Sequence, residues 1–232
     1  MASTPILFVF DCDGTLADSQ FIIADAMRFA FQSMGLAVPD RAAIMRTVGL
    51  SLDDAVFTLA PQQSDLMRED VVRAYRERYL ALRLADAREP LFPGAASLLR
   101  RLSEREDAVL GIATGKSKRG LMGILEHNGL TGIFSTIQTA DNAPSKPHPG
   151  MLFQAMNETG ASPRTTVMIG DTSHDMLMAA SANVTGIGVS WGYHSKAELR
   201  RAGAAKIAHS FAELGAIIDA GAVLAPHYEA MA

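Results

Sequence analysis

The sequence predicts an α/β protein: a Rossmann-like core built on a doubly wound parallel sheet, with a helical domain inserted into it. Three observations carry this. Short apolar runs rich in β-branched residues recur at Ile6–Phe10, Ala108–Ala113, Thr166–Gly170 and Val184–Val189, each of a length suited to a strand buried on both faces. Helical patterns separate the later runs, and strands alternating with helices call for right-handed crossovers and a sheet covered on both sides. Between Asp18 and about Glu89, by contrast, only helical periodicity occurs.

Taken in order, Ile6–Phe10 is the first strand and ends at an acidic pair, Asp11 and Asp13. In the insertion, Ile22, Ala26, Phe29 and Ala30 form one apolar stripe, and Met67, Val71, Tyr75, Tyr79 and Leu82 form another. Pro90-Leu-Phe-Pro93-Gly94 breaks the helical pattern and suits a linker. These limits assign 1–17 and 91–232 to the core and 18–90 to the helical domain. Within the core, Phe134–Ile137 and Lys206–Ala208 are weaker strand candidates. Leu121, Ile124 and Leu125 mark a helix closed by Gly129; Leu152, Phe153, Met156 and Thr159 mark another followed by Gly160. Ser195–Glu198 and Ser210–Glu213 have capping-box spacing, and the Ala-rich C-terminus is a good helix former.

Composition narrows the function. Hydrophobic residues make up 48% and charged residues 20% of 232 residues, which excludes a disordered or collagen-like chain. The net charge of −4 gives no footprint for nucleic acid or for an anionic membrane surface. Cys12 is the single cysteine, so no intrachain disulfide forms, as expected of a cytoplasmic protein. The first residues lack a basic n-region and read as a strand, not a signal peptide, and no apolar stretch approaches the length of a membrane span.

The chemistry-bearing residues follow the strands. In extended chain, residues i and i+2 share a side, so Asp11 and Asp13 aim together from the end of the first strand. Two unit charges about 4 Å apart repel by roughly 4 kcal/mol at an effective dielectric near 20, so such a pair calls for a cation or a shared proton. The alternative is a polar turn bent at Gly14. Val167–Gly170 likewise runs into Asp171 and then Asp175; these two read either as helix-capping and first-turn acids or as further members of one acidic cluster. Strand ends of an open α/β sheet share one crevice, where separate acids converge. Carboxylates without thiolates or imidazoles suit a hard cation, Mg²⁺ above all. Thr114-Gly115-Lys116-Ser117, opening a helix, is an anion site or an ordinary cap. Pro147 and Pro149 hold Lys146 on a stiff extended stretch. Cys12 reads as a buried spacer, His148 and His174 as polar rim residues, Met176 and Met178 as packing, and Lys118 and Arg119 as a solvated helix face.

Asp11-Cys-Asp13-Gly-Thr-Leu-Ala-Asp18-Ser, Thr114, Lys146-Pro147 and Gly170-Asp171 with Asp175 occur in the order and contexts of the haloacid dehalogenase superfamily. The insertion resembles that superfamily's small helical cap. Within it the chain is most similar to phosphoglycolate phosphatase-like hydrolases, to which Trp191-Gly192-Tyr193 and Val48-Gly49-Leu50-Ser51 contribute. The resemblance implies a Mg²⁺-dependent phosphatase acting on a small phosphorylated metabolite, as a monomer or homodimer. It implies Asp11 as the nucleophile that forms an aspartyl-phosphate, and Asp13 as general acid and base. Mg²⁺ would be held by Asp11, the Asp13 carbonyl and Asp171, with Asp175 helping. Thr114, Gly115 and Lys146 would bind the phosphoryl group, and Arg46, Gly49 and Ser51 would set specificity. A phosphomutase of the β-phosphoglucomutase type is disfavoured because Ser19-Gln-Phe-Ile22 lacks the expected His. Asp13 argues against a true dehalogenase, and the intact acid set argues against a silent phosphate-binding regulator.

Overall fold

The computed structural model describes residues 5–85 and 89–221. Among these, six strands form: β1 (Ile6–Phe10), β2 (Ala108–Thr114), β3 (Thr136–Thr139), β4 (Thr166–Gly170), β5 (Thr185–Val189) and β6 (Lys206–Ala208). All pair in parallel, in the order β3-β2-β1-β4-β5-β6. The chain builds outward from β1 to β3, then returns to lay β4 on the other side of β1. That reversal opens a crevice at the carboxyl ends of β1 and β4, where ligands bind in open α/β sheets.

Strand alternation sorts the core into two layers. Phe8 and Phe10 of β1 join one cluster with residues of α5 (Ala95–Ser103), α6 (Lys118–His127) and α10 (Phe211–Asp219). Leu7 and Val9 face the opposite way, into a cluster with α7 (Gly150–Thr159) and α8 (Ser173–Ser181). Period two along a central strand therefore buries both faces. A ninth helix in chain order, α9 (Lys196–Arg201), packs on α8 through Leu199 and Met176.

Between β1 and α5 lie only helices among the described residues: α1 (Gln20–Ser33), α2 (Arg41–Arg46), α3 (Leu52–Leu59) and α4 (Asp65–Leu84). They close on a hydrophobic cluster of their own that includes Ile22, Met27, Phe31, Ile44, Val56 and Val71. Asp40, Ser51 and Ser64 cap α2, α3 and α4 by accepting backbone N–H bonds. The chain enters and leaves this helical segment side by side: Asp18 N donates to Pro90 O at 2.8 Å and Phe92 N to Leu16 O at 2.9 Å. None of the helices described is long and apolar enough to cross a membrane.

Several local expectations are corrected. β3 begins at Thr136, because Ser135 N still donates to Leu110 O and Phe134 packs as a loop residue of the core. Phe153 is 49% exposed; the buried stripe of α7 is Met151, Leu152, Ala155 and Met156. Phe29 is 44% exposed and lies under the Arg78 guanidinium, 5.2 Å from the ring centre, a cation–π contact that covers the ring without burying it. Ser195 and Glu198 complete their capping box. Ser210 caps α10, but Glu213 turns its carboxylate to His209 N instead. The Ala-rich terminus lies outside the described residues.

The helical segment has a cluster of its own, distinct from the one around Phe8 and Phe10, and this makes a localised prediction. Phe31→Ala is expected to cost about 3–5 kcal/mol, measured by denaturant unfolding. Its effect should appear as faster amide exchange in α1–α4, with the strands still protected. Equal loss of protection in β1 and β4 would mean the two clusters unfold as one.

Candidate active site

The reversal of strand order places two acid-tipped strands next to each other. Asp11 follows β1 and Asp171 follows β4, while Asp175 sits in the first turn of α8. Asp11, Asp171 and Asp175 are all fully buried, and Asp13 nearly so. The period-two expectation holds at this end of β1, since Cys12 between the acids joins the Phe8 and Phe10 cluster. Thr172 and Asp175 form a reciprocal capping box, so Asp175 is both a first-turn acid and a member of the acidic cluster. Asp171 is gripped by Thr15 Oγ1 at 2.9 Å and by Tyr193 N–H at 2.8 Å. Backbone hugs it closely: a Cβ on Gly14 would meet Asp171 Oδ2 at 2.3 Å, and one on Gly192 would meet Asp171 Cβ at 2.2 Å. Gly14 also has φ +85°, which glycine adopts without strain.

Two lysines answer the acids, each in its own circuit. Lys146 Nζ lies 2.8 Å from Asp11 Oδ1 and 2.6 Å from Asp175 Oδ1. Burial opposes its charge, but the two carboxylates outweigh that and hold its pKa above the usual lysine value. Lys116 Nζ lies 3.0 Å from Asp13 Oδ1 and 2.9 Å from Glu89 Oε1. Tyr79 OH accepts from Lys116 at 2.6 Å and donates to Glu89 Oε2 at 2.6 Å, where Arg83 also pairs at 3.0 Å. Burial would raise the Glu89 carboxyl, but Lys116 and the hydrogen bonds lower it below the usual range. This second circuit joins α4, the outgoing linker and the loop after β2.

The remaining expected residues separate into two groups. Thr114 ends β2 with its side chain buried; its Oγ1 accepts from Lys116 N at 3.2 Å, which leaves the hydroxyl proton to be donated. Gly115 faces the helical segment so closely that a Cβ would meet Leu50 O at 2.2 Å. Gly49 lines the large cavity that reaches Asp13 and Lys116. Arg46 and Ser51 are not among the residues lining it. Arg46 is exposed and meets the core through its carbonyl, 3.2 Å from His174 Nε2. Ser51 caps α3 and docks by donating its N–H to Ser145 Oγ at 2.9 Å.

The cluster fits a hard cation. Asp11, Asp171 and Asp175 each offer a carboxylate oxygen, all within 4.8 Å of one another. Asp11 Oδ2 is buried without a hydrogen-bond partner among the described residues. Burial pushes the Asp11 carboxyl up to about 7, with Lys146 pulling down and Asp175 pushing up. Burial, then Asp11 and Asp175, raise Asp171 as well. One lysine thus leaves the site short of positive charge, and an all-oxygen donor set matches a divalent hard cation.

An α/β fold that gathers buried acids and a lysine at its topological switch has the layout of a ligand-binding crevice. The haloacid dehalogenase-like hydrolase family profile matches residues 8–189. The chain is 37% identical over 210 residues to a protein of Dickeya dadantii named "Probable phosphatase IndB", covering 90% of this chain and 91% of that one. It is 28% identical to a phosphoglycolate phosphatase of Psychrobacter arcticus, covering 92% and 94% respectively. The crystal structure of a hydrolase from Pseudomonas syringae superposes with a TM-score of 0.83 at 28% identity, over 94% of this chain and 99% of that one. The chain belongs to the haloacid dehalogenase-like hydrolases. Within them it is a phosphatase, similar to the phosphoglycolate phosphatases.

Glu89, Tyr79 and Lys116 went unread as one unit. Tyr79 looked like part of an apolar stripe and Glu89 like a helix end. The usable signal was an acid placed directly before a helix-breaking proline, with a lysine directly after a strand-ending Thr-Gly. Removing one partner of a buried ion pair costs about 3–5 kcal/mol. Glu89→Ala is therefore expected to lower unfolding free energy by that amount in a denaturant titration, and Glu89→Gln, which keeps a hydrogen-bonding carbonyl, by less. Equal losses for the two would mean that the carboxylate's charge alone is at stake.

Proposed function

We propose that the protein is a divalent-metal-dependent phosphatase that hydrolyses a small phosphorylated metabolite through an aspartyl-phosphate on Asp11. The observation that carries this is Asp11 Oδ2, a buried carboxylate oxygen without a partner beside Lys146 and two further carboxylates. Asp11, the Asp13 carbonyl and Asp171 would hold the metal, with Asp175 assisting, and Mg²⁺ suits this donor set. When bound, the metal offsets the repulsion between the anionic nucleophile and the anionic phosphate and stabilises charge in the transition state.

The chain's own residues perform the rest. Asp11 attacks phosphorus and the bond to the leaving oxygen breaks, while Asp13 donates its proton to that oxygen. Asp13, now a carboxylate, takes a proton from water as the water attacks phosphorus. The bond to Asp11 then breaks and inorganic phosphate is released. Lys146 holds phosphoryl oxygens and orients Asp11; Thr114 donates its hydroxyl proton to the phosphoryl group, as do N–H groups around Gly115. Residues 18–90 act as a cap over the core, which excludes water from the aspartyl-phosphate.

Asp11→Asn keeps the side-chain volume and removes the nucleophile. We expect kcat to fall by about three orders of magnitude or more, measured as phosphate release from a panel of phosphomonoesters. Retention of more than about a tenth of wild-type kcat, a loss of only about 1.4 kcal/mol, would rule Asp11 out as nucleophile.

Chelation by EDTA is expected to abolish turnover and Mg²⁺ to restore it. Ca²⁺ should restore little, since its looser coordination misplaces nucleophile and phosphate. Full activity in excess chelator would remove the metal from this scheme.

A further inference from the structure

A cavity of about 1000 Å³ lies between α4 and α6, and it meets the charge cluster at Asp13, Gly115 and Lys116. Its place fits the phosphatase reading, for Asp13 is the group that would protonate the leaving oxygen. Whatever leaves the phosphate must therefore sit in this cavity. Volumes of roughly 300–1,000 Å³ suit drug-sized ligands, far larger than the two-carbon glycolate of phosphoglycolate.

The volume is not a product of separated segments, because the helical segment is already seated on the core. Ser51 N–H bonds Ser145 Oγ at 2.9 Å, Ser19 N–H bonds Tyr193 OH at 3.1 Å, and Lys116 Nζ reaches Tyr79 OH at 2.6 Å. Gly115 touches the Gly49 and Leu50 carbonyls so closely that no Cβ would fit.

The lining sets the chemistry. Met27, Val48, Leu80 and Met122 are among the walls, with Tyr75 and Tyr79. The two tyrosine rings stack 5.9 Å apart at 21° and present a flat aromatic edge. A short carboxylated leaving group would need a cation at the inner end. Of the cations lining the cavity, Lys116 is already engaged by Asp13 and Glu89 and Arg83 by Glu89, while Arg76 and Arg119 are exposed and turn toward water.

We infer that the cavity between α4 and α6 selects a phosphomonoester whose leaving group carries a flat, largely apolar ring, in preference to phosphoglycolate. This inference rests on the phosphatase reading and narrows its substrate class. Adding or removing apolar groups in such pockets changes discrimination by roughly 10–200-fold.

The test compares 1-naphthyl phosphate with 2-phosphoglycolate in two arms. In turnover with Mg²⁺, kcat/KM should favour naphthyl phosphate by at least about tenfold. Leu80→Trp, which fills the cavity from α4, should lower that ratio by about tenfold through KM, with an unchanged circular dichroism spectrum and melting curve showing that it folds. In binding, calorimetry on Asp11→Asn should show naphthyl phosphate bound more tightly than phosphoglycolate. Equal or reversed preference in either arm, or a ratio untouched in folded Leu80→Trp, overturns the inference while leaving the phosphatase reading intact. No turnover of any phosphoester, with tighter binding of naphthyl phosphate preserved, overturns the phosphatase reading and supports the cavity's selectivity.

Discussion

Burial of like charges at the carboxyl ends of β1 and β4 is the constraint on which the rest of the structure turns. Asp11, Asp171 and Asp175 lie out of water within reach of one another. Carboxylates at this spacing repel by several kcal/mol at any realistic protein dielectric, so their ionised forms persist only where hydrogen bonds and cations offset the cost. The fold supplies these from four directions. Thr15 and Tyr193 donate to Asp171, Thr172 donates to Asp175, and Lys146 spans Asp11 and Asp175. Asp11 Oδ2 is left without a partner. That remaining deficit of positive charge is what makes the cluster fit a hard cation.

The same constraint explains why the two acids of the first motif, one residue apart in the loop, belong to different circuits. Asp11 pairs with Lys146 in the core, whereas Asp13 pairs with Lys116, and through it with Glu89, Tyr79 and Arg83. One acid is fixed entirely by the sheet. The other is connected to α4 and to the linker beside Ala17 and Leu91, which bridge each other. The two acids thus differ in what can disturb them. Asp13 is tied to the helical segment through Lys116, Glu89 and Tyr79, whereas Asp11 pairs with Lys146 of the core.

Much of this was legible in the sequence because it is local. Three strand runs end at candidate site residues, Asp11, Thr114 and Asp171, and period two along Asp11-Cys-Asp13 sends the acids one way and the cysteine to the core. The capping box of Ser195 and Glu198 lies within four residues and forms as read. The failures are tertiary. Phe29 and Phe153 match apolar helical stripes, yet neither is buried: Phe29 is covered only by the Arg78 guanidinium and Phe153 is about half exposed. β3 is displaced because its register is set by Gly111–Thr114 of β2, not by its own apolar residues. The circuit of Glu89 brings together side chains from three separate stretches, and only the fold reveals that they meet. Arg46 and Ser51 illustrate the opposite limit, for their side chains face solvent or cap a helix while their backbone atoms contact the core.

Rigidity and selectivity are consequently divided between the two segments. The acids stand on the central strand, its neighbour and the first turn of α8, backed by clusters on both faces of the sheet. Close backbone approach at Gly14 and Gly192 leaves Asp171 no alternative position. On the proposed mechanism such a site reads charge and phosphate geometry and little else, which suits chemistry common to a whole family. Discrimination among leaving groups must then come from surfaces that vary in shape and polarity without touching the acids. The wall that α4 raises over α6 is such a surface. It reaches the acid cluster through Asp13 and Lys116, so it can change shape and apolar character while Asp11, Asp171, Asp175 and Lys146 stay in place.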